Sequence, residues 1–388
     1  MFRRVSQIGY EIGLANILAG NSGSTVKFKA ALAEYFHLKS VELSGSATAA
    51  LFFICNALKK ETDKSRVIIP AYTATSVVPP ILQAGLKPVL CDISLLDFNL
   101  DLELLGDVVD DKTLAIVPTH LFGIPQYNIE KIKPAFENIF IIEDAAQAMG
   151  SKYDNISVGH FSDAVVFSFN RGKNLPTNGG GVIFTKAEKI AASLSVEIGK
   201  IEKPTVINKL LQPFKMTAVA AAMQPSIFAV LYPFISRFKD NTVRESFEIT
   251  AFSDYQAGIG LSLLDKLAAS SEKRYMNGSR YIQELEGVKS IILPQISDNA
   301  YPAFNRFPLL FKEPEDRLKI ETELAKIGID TSRMYLKPLH HIFDLGYKKE
   351  EFPNACFLAE RLLTLPTHPL LQEADLVRII ETFKEVLV

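Results

Sequence analysis

The sequence predicts an α/β fold: a mostly parallel central sheet with helices on both faces, followed by a smaller C-terminal α+β domain. Three observations carry that expectation. Between about residues 40 and 185, short runs that are apolar throughout alternate with longer mixed segments. Such runs suit strands buried on both faces, as a helix-covered parallel sheet requires. Beyond about residue 255 the pattern turns to helical periodicity. The length of 388 residues is enough for roughly two domains. The predicted division is a large domain over 1–255 and a small one over 256–388.

The first predicted strand lies near Val41-Glu42-Leu43, and the small residues Ser44-Gly45-Ser46-Ala47-Thr48 come after it, then a helical run over 49–60. The next strands are Val67-Ile68-Ile69, Pro88-Val89-Leu90, Leu114-Ala115-Ile116-Val117, Phe140-Ile141-Ile142, Val165-Val166-Phe167 and Val182-Ile183-Phe184. Spacers such as Thr75 to Ala84 can hold crossover helices, which is the alternation of a doubly wound sheet. From Leu261 to Leu285, the residues Leu261, Leu264, Leu267 and Tyr275 predict the buried faces of a helix. An amphipathic helix near 373–388 closes the chain.

Between Lys215 and Arg237, residues 216–236 carry no formal charge. About 20 apolar residues can span a bilayer as a helix. Gln224, Pro225 and Pro233 interrupt this stretch, and proline breaks a helix interior. Two readings stay open for this apolar helical insertion over about 200–245. The first is a buried hairpin or a subunit-interface cover; the second is contact with a membrane surface through 205–240.

Composition excludes several classes. A content of 48% hydrophobic and 22% charged residues belongs to a globular chain, not a disordered one. Lys+Arg number 42 against Asp+Glu 44, so no basic excess exists to hold nucleic acid by counterion release. Cys55, Cys91 and Cys356 lie far apart with no CxxC pair, which points to a reducing, cytoplasmic setting. The apolar start is broken by Gln7, Glu11 and Asn16, unlike a secretory signal. Gly258 and Gly260 lack the third glycine and the preceding strand of a dinucleotide site. No metal site is expected either: HExxH and Cys-rich spacings are absent, and the adjacent His340 and His341 should point to different faces.

Ligands of open α/β sheets bind beyond the carboxyl ends of the strands. Three such ends attract notice. Ser46, Ala47 and Thr48 open a helix with small side chains, which suits a phosphate, although Ser46 could simply be a helix cap. Asp144 comes just after the predicted strand Phe140-Ile141-Ile142 and could itself cap the next helix. Lys173 sits in the glycine-rich stretch GKNLPTNGGG after another strand. A lysine held beside a buried cationic ring becomes nucleophilic, and an aspartate aimed at a ring nitrogen is what pyridoxal phosphate needs. The three together point to that cofactor.

The segment IIEDAAQAMGSKYDNISVGHFSDAVVFSFNRGKNLPTNGGGVIFT over 141–185 resembles the sugar aminotransferases of the DegT/DnrJ/EryC1/StrS family, which are fold-type I pyridoxal-phosphate enzymes. VIIPAYTATSVVPPILQAGLKPVLCDI, IVPTHLFG, SDYQAGIGLSLLDKL, YLKPLHHIF and LTLPTHPLL extend the likeness over most of the chain. The resemblance implies that Lys173 joins the cofactor and later shuttles a proton, and that Asp144 keeps the ring nitrogen protonated. It implies that Gln147 contacts the ring's hydroxyl region or the substrate, and that Ser168 holds the phosphate with Ala47 and Thr48. It puts His340 near the substrate entrance, where a packing role is an equal alternative. His120 is a candidate to line the site and equally a structural histidine.

Two places depart from the family. Ala74 stands where a cofactor-stacking aromatic is usual, and Ile249 and Ala251 replace an asparagine and arginine that reach the partner subunit's site. The implied reaction carries an amino group, from glutamate, to a keto sugar attached to a nucleotide, in amino-sugar or cell-surface polysaccharide synthesis, within a homodimer. The alternatives are sugar dehydration, for which the family uses histidine in place of the lysine, and a non-catalytic regulatory or membrane-associated role.

Overall fold

The computed structural model describes residues 3–235 and 246–387. The seven predicted strands, six of them apolar throughout, are the seven strands of one sheet, in the order β1-β9-β8-β5-β4-β2-β3. These are β1 (Val41–Ser44), β2 (Arg66–Pro70), β3 (Lys87–Cys91), β4 (Thr113–Ile116), β5 (Phe140–Asp144), β8 (Ala164–Ser168) and β9 (Gly181–Thr185). β2 pairs parallel with β3 and β4, β4 with β5, and β5 with β8; β9 alone runs against the rest. Two short strands, β6 (Lys152–Tyr153) and β7 (Ile156–Ser157), form a hairpin beside the sheet.

The reason for the uniformly apolar runs is visible in the packing. Successive side chains of a strand point to opposite faces. Val67 and Ile69 join a core under the helices Ala47–Lys59 and Val78–Gln83, while Ile68 joins another core with Leu105 and Ile132. Val166 likewise faces the first core, whereas Val165 and Phe167 face a third with Phe28, Phe36 and Ile259. Both faces are therefore covered, and an apolar residue is wanted at every position.

The C-terminal part holds an antiparallel sheet of β10 (Ile291–Ile292), β12 (Phe307–Phe311) and β13 (Leu362–Leu365). β11 (Ala300–Tyr301) instead pairs with β6 of the N-terminal half. The start of the chain returns the exchange: Val5 N–H donates to Gly328 O, and Gln7 Nε2 donates to Asp330 O and Thr364 O.

Three expectations change here. The predicted helix from Leu261 to Leu285 is two helices, Asp254–Leu264 and Leu267–Leu285. The first packs closely on its neighbours: a Cβ at Gly258 would lie 2.3 Å from Ala19 O, and one at Gly260 would lie 2.4 Å from the Phe28 ring. Those two glycines serve helix contact, not a nucleotide. Leu264 and Leu267 are buried as expected, but Leu261 and Tyr275 are only half-buried, and Tyr275 stacks on Tyr301 with centroids 4.4 Å apart.

Second, the apolar insertion is interrupted at Gln224 and Pro225 as expected, but not at Pro233, which lies inside a helix. Helices Val206–Ala222 and Pro225–Ile235 meet at a bend of 97°. Pro225 occupies the first helical position, where its missing N–H is harmless, and Pro213 and Pro233 lie inside. Third, the insertion is not a buried hairpin. Met216, Ala220 and Phe228 face inward, but Ile207, Leu210, Leu211, Phe214, Ile227, Val230 and Phe234 are exposed. No single helix among the described residues is long and apolar enough to cross a membrane. Residues 236–245 of the insertion lie outside the described residues.

Candidate active site

The carboxyl ends of β1, β5 and β8 open onto one cavity of about 390 Å³. Its lining includes Ser46, Ala47, Thr48, Ala74, Asp144, Gln147, Ser168 and Lys173, eight residues that the sequence pointed to separately. The cavity is large enough for a substituted aromatic ring with its phosphate.

One end is the start of helix Ala47–Lys59. Ser46 is indeed its cap, with Oγ accepting the Ala49 N–H at 3.0 Å. Capping and anion binding are compatible, since the first turn still presents N–H groups and the positive end of the dipole. Close packing shapes this end. A Cβ at Gly181 would lie 2.6 Å from Ala47 N, and one at Gly45 would lie 2.5 Å from Thr250 O. Ser168 borders the cavity from the end of β8, and its Oγ accepts the Asn170 N–H at 3.3 Å.

Asp144 ends β5. Its Oδ1 accepts the Ala146 N–H at 3.0 Å, which leaves Oδ2 for an occupant of the cavity. Lys173 stands on the loop between β8 and β9. That loop turns through Gly172 at φ 89° and Gly180 at φ 109°, left-handed conformations that favour glycine. It is braced by Asn174, whose Nδ2 donates to Met149 O and Ala303 O. Asp144 and Lys173 each keep some surface open to the cavity while protein crowds their other sides. Burial pushes the Asp144 carboxyl above its usual range, against the Ala146 N–H and the Lys173 charge. Burial pushes the Lys173 amine down to about 8; Asp144 opposes this and the Arg306 cation adds to it. An amine that loses its proton more readily than an ordinary lysine and an under-satisfied acid thus share one small space.

Gln147 lines the same cavity with its amide already oriented: Oε1 accepts the Phe122 N–H at 3.2 Å, and Nε2 lies 3.2 Å from Tyr335 Oη. Tyr335 is a site residue that residue-type reasoning missed, although it stands in the quoted segment YLKPLHHIF. Its signal was its neighbourhood, not its spacing. Thr73, also missed, lines the cavity with a buried hydroxyl that finds no partner among the described residues. An orphaned hydroxyl, a helix start, an acid and an amine around one cavity fit a phosphorylated pyridine ring. Ala74 borders the cavity where an aromatic ring was the family norm, and Ile249 and Ala251 line a neighbouring cavity.

Two expectations are corrected. His120 does not line the cavity. It is fully buried behind it, where Nδ1 accepts the Gln126 N–H at 2.9 Å, so Nε2 carries the proton and donates to Glu143 Oε2 at 2.9 Å. His340 does not line it either; it packs against Phe352. Nor do His340 and His341 diverge. They lie on a tight turn, Leu339–His341, not on a strand, and both Nε2 atoms come to 3.9 Å from Cys356 Sγ.

Comparison with known proteins agrees with this geometry. An uncharacterized protein of Methanocaldococcus jannaschii, MJ1066, is 31% identical over 93% of this chain and 89% of its own length. GDP-perosamine synthase of Caulobacter vibrioides is 27% identical over 94% of this chain and 90% of its own. The solved PMP form of a putative sugar aminotransferase of Streptococcus pneumoniae, Spr1654, superposes with a TM-score of 0.79 at 25% identity, covering 98% of both chains. The model of the DegT/DnrJ/EryC1/StrS aminotransferase family matches residues 16–384, and with the cavity built from Asp144 and Lys173 this makes the chain a member of that family of pyridoxal-phosphate-dependent aminotransferases.

Proposed function

We propose that the chain transfers an amino group from glutamate to a keto sugar attached to a nucleotide. The observation that carries this is the convergence of Asp144, Lys173 and the helix start at Ser46–Thr48 on one cavity. Pyridoxal phosphate supplies an electron sink for charge that develops beside the amine nitrogen. Asp144 keeps the proton on the ring nitrogen, a task for an acid that lacks other strong partners. Lys173, whose amine burial pushes down to about 8, moves the proton between carbon and nitrogen. Ala47, Thr48 and Ser168 hold the phosphate, and Gln147 with Tyr335 orients the ring's polar edge or the substrate. Thr73 offers its unpaired hydroxyl to the same occupants.

The nucleotide part has independent support. A second cavity of about 960 Å³ shares Gly45 and Gly179 with the first and carries Lys200, Lys203 and Lys215. Three glutamates, Glu197, Glu202 and Glu248, share that lining, and Glu197 is held by Lys60. A substrate whose sugar enters the first cavity can lay a diphosphate along the second. The name of the Caulobacter relative carries such a group, GDP.

The test is turnover of glutamate with a panel of nucleoside-diphosphate keto sugars, read as 2-oxoglutarate formed together with the amino sugar. Formation of a deoxy sugar without nitrogen transfer sinks the reading in favour of dehydration. The exposed apolar side of helices Val206–Ala222 and Pro225–Ile235 suits a second copy of the chain, which makes a homodimer part of the proposal. Light scattering of an active monomer counts against the dimer, and liposome co-sedimentation through this segment favours a membrane instead.

A further inference from the structure

Away from the cavity, three metal-ligating side chains meet. His340 Nε2, His341 Nε2 and Cys356 Sγ lie within 4.8 Å of one another, with each nitrogen 3.9 Å from the sulfur. The carbonyl oxygen of Lys349 is a fourth donor atom, 3.3 Å from His340 Nε2, 2.9 Å from His341 Nε2 and 3.8 Å from Cys356 Sγ. Zinc–nitrogen and zinc–sulfur bonds of about 2.0–2.1 and 2.3 Å place tetrahedral N and S donors about 3.6 Å apart. The two N–S distances exceed that by only a few tenths of an ångström, while the two imidazole nitrogens, within 4.8 Å of each other, must close by ring rotation toward the roughly 3.3 Å of a tetrahedral pair.

We propose that His340, His341, Cys356 and the Lys349 carbonyl form a site for a zinc-class divalent cation, which staples the Leu339–His341 turn to the helix Pro353–Arg361. One sulfur, two imidazoles and one carbonyl select zinc over magnesium or calcium, which want oxygen alone. As hydrogen bonding alone, the cluster is poorly matched, because up to three donors crowd one carbonyl oxygen. A cation turns that crowding into coordination. His340 Nδ1 is buried without a partner among the described residues, so Nε2 is free to turn toward a cation. Asp92, Glu350, Glu351 and Glu360 surround the cluster with negative charge. Cys356 and His341 are partly exposed, which provides an entry path.

Binding is an exchange of one proton for one cation. The Cys356 S–H bond breaks, its electron pair becomes the sulfur–zinc bond, and the proton leaves to solvent. The consequence reaches the active cavity through the backbone. Leu339 N–H donates to Ala71 O at 2.8 Å, and Tyr335 O accepts the Tyr72 hydroxyl at 3.0 Å. Tyr335 then meets Gln147 in the cavity. The staple thus steadies the loop that positions Tyr335.

The experiment is calorimetric titration of the cofactor-loaded enzyme with zinc chloride in two buffers of different ionisation enthalpy, with bound zinc counted after gel filtration. The expected result is one zinc per chain, about one proton released, and a raised melting temperature. C356A and H341A should each weaken binding by more than the 10–100-fold that losing a mere supporting partner costs. C356H, which keeps a ligand at that position, should retain zinc. Both alanine variants should keep the cofactor absorbance, which separates loss of zinc from loss of the active site. Substoichiometric zinc at saturation, or wild-type affinity in both alanine variants, overturns the proposal.

Discussion

Glu143 and Asp144 are adjacent on β5 yet sit in opposite environments, because neighbouring side chains of a strand face opposite sides of the sheet. Behind the sheet, Glu143 is fully buried and accepts four hydrogen bonds, from His120 Nε2, Gly159 N, Phe161 N and Ser162 Oγ. Burial pushes its carboxyl up, but the bonds from His120, Ser162 and Gly159 outweigh burial and hold it below the usual range. In front, Asp144 has one backbone N–H on Oδ1 and is held above its usual range. The satisfied acid is part of the scaffold. The under-satisfied one faces the cavity, where the proposed reading has it hold a ring N–H⁺.

Four measurements challenge this contrast, and the expected effects decrease in the order given. Lys173→Ala should lower amino transfer by about 10²–10⁴-fold or more, because the proton shuttle is gone. It should also abolish the long-wavelength absorbance of the lysine-bound cofactor. Absorbance that survives in this variant removes Lys173 from the cofactor.

Next comes the pair of acids. Asp144→Asn should slow turnover by about 10²–10³-fold, as loss of one preorganised electrostatic partner does, with stability unchanged or raised. Glu143→Gln should instead destabilise the fold by about 2–3 kcal/mol in urea melts, since an amide cannot accept from all four donors. Its turnover per folded molecule should stay near normal. A reversed pattern would show that the division between scaffold and site is wrong.

The third test is pH. Only the neutral amine attacks a carbonyl, so cofactor-stripped protein should capture pyridoxal phosphate at a rate that is half-maximal near the Lys173 value of about 8. Below that the ammonium form dominates, and the rate should fall about tenfold per pH unit. A midpoint near the ordinary lysine range would mean that the cavity does not shift the amine. The smallest effect is expected from Ser46→Ala. It removes a helix cap, costing about 0.5–2 kcal/mol of stability, and weakens cofactor affinity only modestly because the first-turn N–H groups remain.

Much of this was legible without coordinates. The strands could be read because a sheet covered on both faces wants an apolar residue at each successive position, and Val67-Ile68-Ile69 and Val165-Val166-Phe167 answer that demand directly. The cavity residues could be found by looking just past those strands. The close approach of Gly258 and Gly260 to Ala19 and Phe28 could not be, because those partners lie more than 200 residues away. His120 and His340 look alike as candidates in sequence. What separates them from the cavity is which partners their rings already have.

Local chemistry and period were enough to set the succession of strands along the chain, the acid and the amine, and the small residues that open the helix beside them. Only the tertiary structure decided that Tyr335 and Thr73 join the cavity and that His120 turns away to Glu143. It alone brought His340, His341 and Cys356 around one carbonyl. Such choices depend on distances between segments remote in sequence, and no local pattern encodes where a side chain will find its partner once the layers have packed.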